Sequence, residues 1–188
     1  MPVYAVTGAS GHLGRFAVQQ LLARGVPPSD VVAVVRTRGK AADLAARGVR
    51  VCEADYSRPQ TLGSALAGAD RLLLVSGNEP GQRVVHHTNV IGAARMAGVS
   101  RIALTSMLNA DRTTGPVADD YRDSERALSE AGVPFTLLRN GLYMERCTDH
   151  LSQYLEIGEI MGTAGNGRIS AASRQDNAAA SRRSGYSR

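Results

Sequence analysis

Three glycines near the start of the chain, in Thr7-Gly8-Ala9-Ser10-Gly11-His12-Leu13-Gly14, limit what it can fold into. They follow a short apolar run, Val3–Val6, and lead into Leu13, Ala17, Leu21 and Leu22 at helical spacing. A strand that enters a helix through such a turn brings bare backbone close to a diphosphate, and the helix N-terminus then holds the anion. Gly8 makes the tight turn, Gly11 lets the pyrophosphate approach, and Gly14 lets the helix press against the sheet. The candidate cofactor contacts here are Gly8, Ala9, Ser10, Gly11, His12 and Leu13. Three glycines in eight residues also occur in ordinary loops, so the surroundings must decide.

The surroundings alternate. Apolar runs at Val31–Val35, Val49–Cys52, Leu72–Val75, Ile102–Leu104 and Phe135–Leu138 are separated by helix-patterned stretches at 41–47, 61–67, 84–97 and 118–131. The runs are continuous rather than alternating, as in a parallel sheet covered on both faces. With right-handed crossovers, the expected fold class is α/β, a doubly wound parallel sheet of the NAD(P)-binding Rossmann type. Gly25, Gly48, Gly98 and Gly132 close the helices.

Size and charge exclude other classes. A chain of 188 residues supports one domain with a sizeable core. No apolar run reaches the length of a membrane span, and no signal-peptide pattern opens the chain, so a cytoplasmic location is expected. Cys52 and Cys147 are too few for a disulfide scaffold, and Cys52, in a strand, reads as a small core residue. Five arginines and one aspartate in residues 168–188 supply +4 of the net charge of +5, leaving +1 for the rest. A nucleic-acid footprint would be a basic stripe on a folded face, so no nucleic-acid partner is expected.

Arg36 follows the second strand, where an NAD-preferring fold places a carboxylate for the ribose 2′-hydroxyl. A guanidinium there binds the extra phosphate of NADP with parallel charge-assisted bonds. NADP is therefore expected over NAD; Arg38 and Lys40 are secondary partners or solvated. Asp55, after the third strand, either accepts from the adenine amino group, with Tyr56 beside the ring, or caps a turn into the next helix. Val75, Ser76 and Gly77 end the fourth strand, where small residues let the ribose and nicotinamide cross the sheet edge.

The segments TGASGHLGR, VVAVVR, EADYSRP, GQRVVHHTNVI and LLRNGLYME, in this order, resemble the atypical short-chain dehydrogenases of the NmrA-like group, and more narrowly the type 2 NAD(P)H:quinone oxidoreductases. The resemblance runs to about residue 181. It implies a reductase that uses NADPH to pass two electrons to a quinone. It also places Asn140 and Tyr143 on the substrate side, Asn140 bonding an oxygen and Tyr143 stacking on a flat ring. Asn140-Gly141 also reads as a plain turn.

The chemistry agrees. Carbonyl reduction by a short-chain dehydrogenase needs a lysine four residues after its tyrosine, to lower the phenol's pKa. Here Tyr121 is followed by Glu125, which would disfavour a phenolate. Quinone reduction makes no such demand. The hydroquinone anion has a conjugate acid near tyrosine's pKa of about 10, water can protonate it, and proximity does the rest. No catalytic side chain and no metal ligand set is therefore expected. His86-His87 point in different directions on a helix and make no metal pair. Partners are a small-molecule quinone and no membrane, and a homodimer is compatible.

The resembling reductases continue further, with elements that roof the substrate cleft. Residues 1–167 are thus expected to form the NAD(P)-binding domain. Residues 168–188 are expected to begin an incomplete substrate subdomain and end in a disordered basic tail. The alternative to an enzyme is a non-catalytic NmrA-like sensor that binds NAD(P) and signals to a protein partner.

Overall fold

The computed structural model describes residues 1–79, 81–160 and 165–181. Six strands form one parallel sheet: β1 (Tyr4–Thr7), β2 (Val31–Val35), β3 (Arg50–Glu53), β4 (Arg71–Leu74), β5 (Arg101–Met107) and β6 (Phe135–Asn140). Their spatial order is β3-β2-β1-β4-β5-β6. The chain winds outward from β1 in one direction, then returns to β4 and winds the other way. This creates a crevice at the carboxyl ends of β1 and β4, where an open α/β sheet binds its ligand.

Helices α1 (His12–Leu22), α2 (Ala42–Ala46), α3 (Leu62–Leu66), α4 (Arg83–Met96) and α5 (Pro116–Glu130) connect the strands. The continuous apolar runs are explained by two cores, one on each face. Tyr4, Val6, Ala33, Val35 and Leu73 pack on Leu13, Ala17, Val18 and Leu21 of α1 and Leu44 of α2. Their strand neighbours Ala5, Val32, Val34, Leu72, Leu74, Ile102 and Leu104 pack on α3, α4 and α5, against Leu62, Leu66, Val90, Ile91 and Leu128. Alternate side chains of the inner strands enter opposite cores, so the middles of these strands are apolar at successive positions.

Beyond β6 lie β7 (Leu142–Tyr143), α6 (Glu145–Thr148), α7 (Leu151–Ile157), β8 (Ala171–Ala172) and α8 (Arg174–Ala180). β7 and β8 pair in parallel as a separate small sheet. The expectation of a disordered tail is corrected here up to Ser181. α8 is capped by Ser173, whose hydroxyl accepts from the Asp176 amide at 3.0 Å, and it lies along α1. Ala178 joins the α1-side core, only 2% exposed. Residues 182–188 of that expected tail lie outside the described residues.

Two boundaries shift with consequences for the site. β5 runs on through Thr105, Ser106 and Met107, and β6 through Arg139 and Asn140, with Met107 opposite Asn140. Asn140 is therefore a strand residue, not the first residue of a turn.

Candidate cofactor site

The glycine turn carries out its expected geometry. Gly8 takes φ +60, a left-handed conformation that favours glycine. A methyl group on Gly14 would sit 2.4 Å from the Gly8 carbonyl oxygen, so α1 approaches the turn as closely as it does only because that residue is bare. Gly11 is the N-cap; its amide donates to the Gly8 carbonyl at 2.9 Å. The Ala9 amide donates to the Val34 carbonyl at 3.2 Å, so Ala9 shapes the turn through its buried methyl and that bond.

α1 starts with no side-chain cap and no acidic residue in its first turn. The amides of His12 and Leu13 in that turn have no helical acceptor, and Ser10 lies just before them. The His12 side chain is exposed, whereas Leu13 is buried in the core and offers only its backbone. The donor set and the dipole end both suit a diphosphate.

The floor beneath the turn is tied together by hydroxyls. The Val75 amide donates to Thr7 Oγ1 at 3.0 Å, and the Tyr56 hydroxyl donates to the Val75 carbonyl at 2.9 Å. The Val75 side chain comes within 3.5 Å of where a Gly8 Cβ would lie. The Tyr56 hydroxyl thereby ties the segment after β3 to the residue that ends the fourth strand. The Ser76 amide donates to Thr105 Oγ1 at 2.9 Å, and the Ser76 hydroxyl bonds the Thr105 carbonyl. Gly77 accepts at its carbonyl from Arg83 Nε at 3.3 Å. Val75, Ser76 and Gly77 thus follow β4 at the crevice, with the Val75 amide and carbonyl, the Ser76 amide and the Gly77 carbonyl held by the protein.

At the carboxyl end of β2, Arg36 has an exposed side chain whose Nη1 lies 2.5 Å from Glu79 Oε1. Arg38 and Lys40 are also exposed, on the single turn of 3-10 helix at Arg38–Ala41. For Asp55 the turn role is visible. Its Oδ1 accepts from the Ser57 amide at 2.9 Å and the Ser57 hydroxyl at 2.8 Å. The Ser57 amide holds the Asp55 carboxyl below its usual pKa, helped by the Ser57 hydroxyl and Arg58.

At the other end, the Asn140 side-chain amide donates to the Tyr143 hydroxyl at 3.1 Å, so the two residues expected on the substrate side are brought together. Burial raises the Tyr143 pKa, against the lowering effect of the Asn140 bond. The Arg174 guanidinium lies 5.2 Å from the Tyr143 ring centre.

Glu125, four residues after Tyr121 on α5, has partners of its own. It is buried and held in two bonds by Arg139, Nε to Oε1 at 3.0 Å and Nη2 to Oε2 at 2.7 Å, and it accepts from the Ser106 hydroxyl. Tyr121 instead lies under the guanidinium of Arg83, 4.4 Å from its ring centre. Arg83 itself was not singled out from the sequence. It is buried, paired with Asp120 at 3.0 Å, and joins α4, α5 and the Gly77 carbonyl. An arginine in the first turn of a helix carries no pattern that would reveal such a role. Among the described residues no His, Cys, Asp and Glu group could hold a metal, and no helix is long and apolar enough to cross a membrane.

This geometry has a counterpart in known proteins. The model of the NAD(P)H-binding family matches residues 8–180, from the glycine turn to α8. The chain belongs to the NAD(P)H-binding family. Within reach of that family, it is 46% identical to quinone oxidoreductase 2 of Escherichia coli (strain K12) over 95% of this chain and 62% of that protein. Its fold superposes on the crystal structure of an NADPH-dependent quinone oxidoreductase of Escherichia coli complexed with NADPH. That match has a TM-score of 0.92 and 44% identity, over 99% of this chain and 66% of the other. Triphenylmethane reductase of a Citrobacter species, complexed with NADP(H), matches with a TM-score of 0.88 and 38% identity, over 95% and 63%. The chain spans a little over six-tenths of the length of these relatives.

Proposed function

We propose that the chain is an NADPH-dependent oxidoreductase that passes a hydride to a quinone. The observation that carries the reading is the uncapped start of α1 behind the glycine turn, with the Arg36 guanidinium at the neighbouring strand end. The likeness to the Escherichia coli quinone oxidoreductase, whose structure holds NADPH, supports it.

The residues divide the work along the crevice. The backbone at Gly8, Ser10, His12 and Leu13 receives the diphosphate, Gly11 lets it approach by lacking a side chain, and Arg36 grips the 2′-phosphate through charge-assisted bonds. Asp55 borders the adenosine end, with one carboxylate oxygen already engaged by Ser57. Val75, Ser76 and Gly77 form the sill on which the ribose and nicotinamide rest. Asn140 and Tyr143 lie on the substrate side, Asn140 to bond a quinone oxygen and Tyr143 to hold the ring.

When bound, NADPH supplies the hydride. Among the described residues we assign no tuned proton donor to the reaction. The position four after Tyr121 is Glu125, and its carboxylate is bound to Arg139 and Ser106. A quinone that accepts a hydride becomes a hydroquinone monoanion, and water delivers the proton that completes the hydroquinone. Rate enhancement then comes from holding two flat rings in contact.

The test is NADPH consumption followed at its near-ultraviolet absorbance, with and without benzoquinone. Quinone-dependent consumption above the uncatalysed background is expected. Binding of NADPH with no such consumption would contradict the enzyme and favour the sensor.

A further inference from the structure

β2 and β4 flank β1 on opposite sides, so the segments that follow them face each other across the glycine turn. Arg36 follows β2, and Glu79 follows β4. Glu79 reaches back over this gap: its Oε1 lies 2.5 Å from Arg36 Nη1, and its Oε2 lies 3.5 Å from His86 Nδ1 on α4. The Arg36 side chain is 69% exposed and that of Glu79 is 49% exposed, so no burial locks the pair.

A guanidinium already facing a carboxylate is not equivalent to a free one. An incoming phosphate must share Arg36 with Glu79 or displace it, and a phosphate dianion close to the carboxylate is also repelled. We propose that Glu79 is a competing counter-anion that sets how tightly Arg36 holds the 2′-phosphate. It lowers affinity for NADPH and NADP⁺ while leaving affinity for the unphosphorylated cofactors nearly unchanged. The inference rests on Arg36 being the 2′-phosphate ligand in the proposed function.

NADP⁺ carries the same 2′-phosphate as NADPH, so the carboxylate beside Arg36 weakens the binding of both cofactors alike. Because exposed ion pairs are weak, the expected effect is modest, about two- to fivefold in affinity. Glu79 belongs to the structure's means of setting cofactor preference, and it does not touch the hydride.

Calorimetric titration of the full chain with NADPH, NADP⁺ and NADH tests this, using the wild type, Glu79→Gln, Glu79→Ala, Arg36→Ala and Arg36→Ala/Glu79→Gln. Melting curves without cofactor show which variants fold, and the two Glu79 variants back each other up. The expected result is that removing the carboxylate tightens NADPH and NADP⁺ by about two- to fivefold and leaves NADH nearly unchanged. On the Arg36→Ala background the gain should largely vanish.

Unchanged or weaker NADPH binding in both Glu79 variants would overturn the proposal. If Arg36→Ala still abolished the preference for NADPH, Arg36 would stand and only the role of Glu79 would fall. Equal tightening of NADH would also overturn it, since it would show general repulsion of the diphosphate. Unaltered NADPH binding in Arg36→Ala would show that the reading of the site itself is wrong, and the role of Glu79 would fall with it.

Discussion

At the scale of single residues, contact with backbone and with water decides what each position tolerates. Gly14 touches the main chain of Gly8 and Ala9, which cannot swing aside as a side chain can. We expect Gly14→Ala to cost about 1–3 kcal/mol of stability and to weaken NADPH binding at least tenfold. Denaturant melts and titration check this. His87 is a different case. It is fully buried on α4, and among the described residues neither ring nitrogen has a hydrogen-bond partner. Burial pushes its pKa down to about 3 from 6.5, with Arg83 and His86 adding to the effect. The folded protein therefore refuses a proton that the unfolded chain accepts below pH 6.5. The associated stability is complete above that pH and falls by about 1.4 kcal/mol per pH unit on acidification toward the folded value. His87→Leu should abolish this slope. Between pH 8 and pH 5 the variant should lose about 2 kcal/mol less than the wild type. Equal losses would contradict the assignment.

At the scale of elements, α8 shows how a short helix can be held by one face. Its seven residues cannot sustain a helix in water, so the contact with α1 must hold it. Ala178→Asp puts an unpaired charge into that contact and should cost about 2–4 kcal/mol, read from the denaturant midpoint. The sequence did not reveal this helix because its buried face is built of alanine and serine, which carry no strong hydropathy period. Strands β1, β2 and β4 were legible because both their faces are buried and carry apolar side chains, and β3 because Val51 and Cys52 interrupt polar neighbours. β5 and β6 were read short because their last residues are polar. Thr105, Ser106, Arg139 and Asn140 remain in the ladder, with their side chains engaged by Ser76, Glu125 and Tyr143. The glycine turn and Arg36 could be read directly, because their chemistry depends on residue type at a fixed place in the chain. The partnership of Glu125 with Arg139, the tie from Tyr56 and the bridge from Glu79 could not. Each joins residues from 14 to 43 positions apart, and only the sheet order brings them together.

At the scale of the molecule, the sheet, its two cores and the crevice at its switch point act as one unit. A ligand in that crevice touches the ends of β1, β2 and β4 together and should stabilise the whole fold. At a hundred times its dissociation constant, NADPH should add about 2.7 kcal/mol and raise the melting temperature by several degrees. The central claim is that a phosphorylated dinucleotide rests on the start of α1 with its 2′-phosphate at Arg36. Parallel titration of NADPH and NADH into the wild type and Arg36→Ala tests it most directly. The account predicts that the wild type binds NADPH at least tenfold tighter than NADH, and that Arg36→Ala erases the difference by weakening NADPH alone. Equal affinities in the wild type, or a preference that survives loss of the guanidinium, would contradict it.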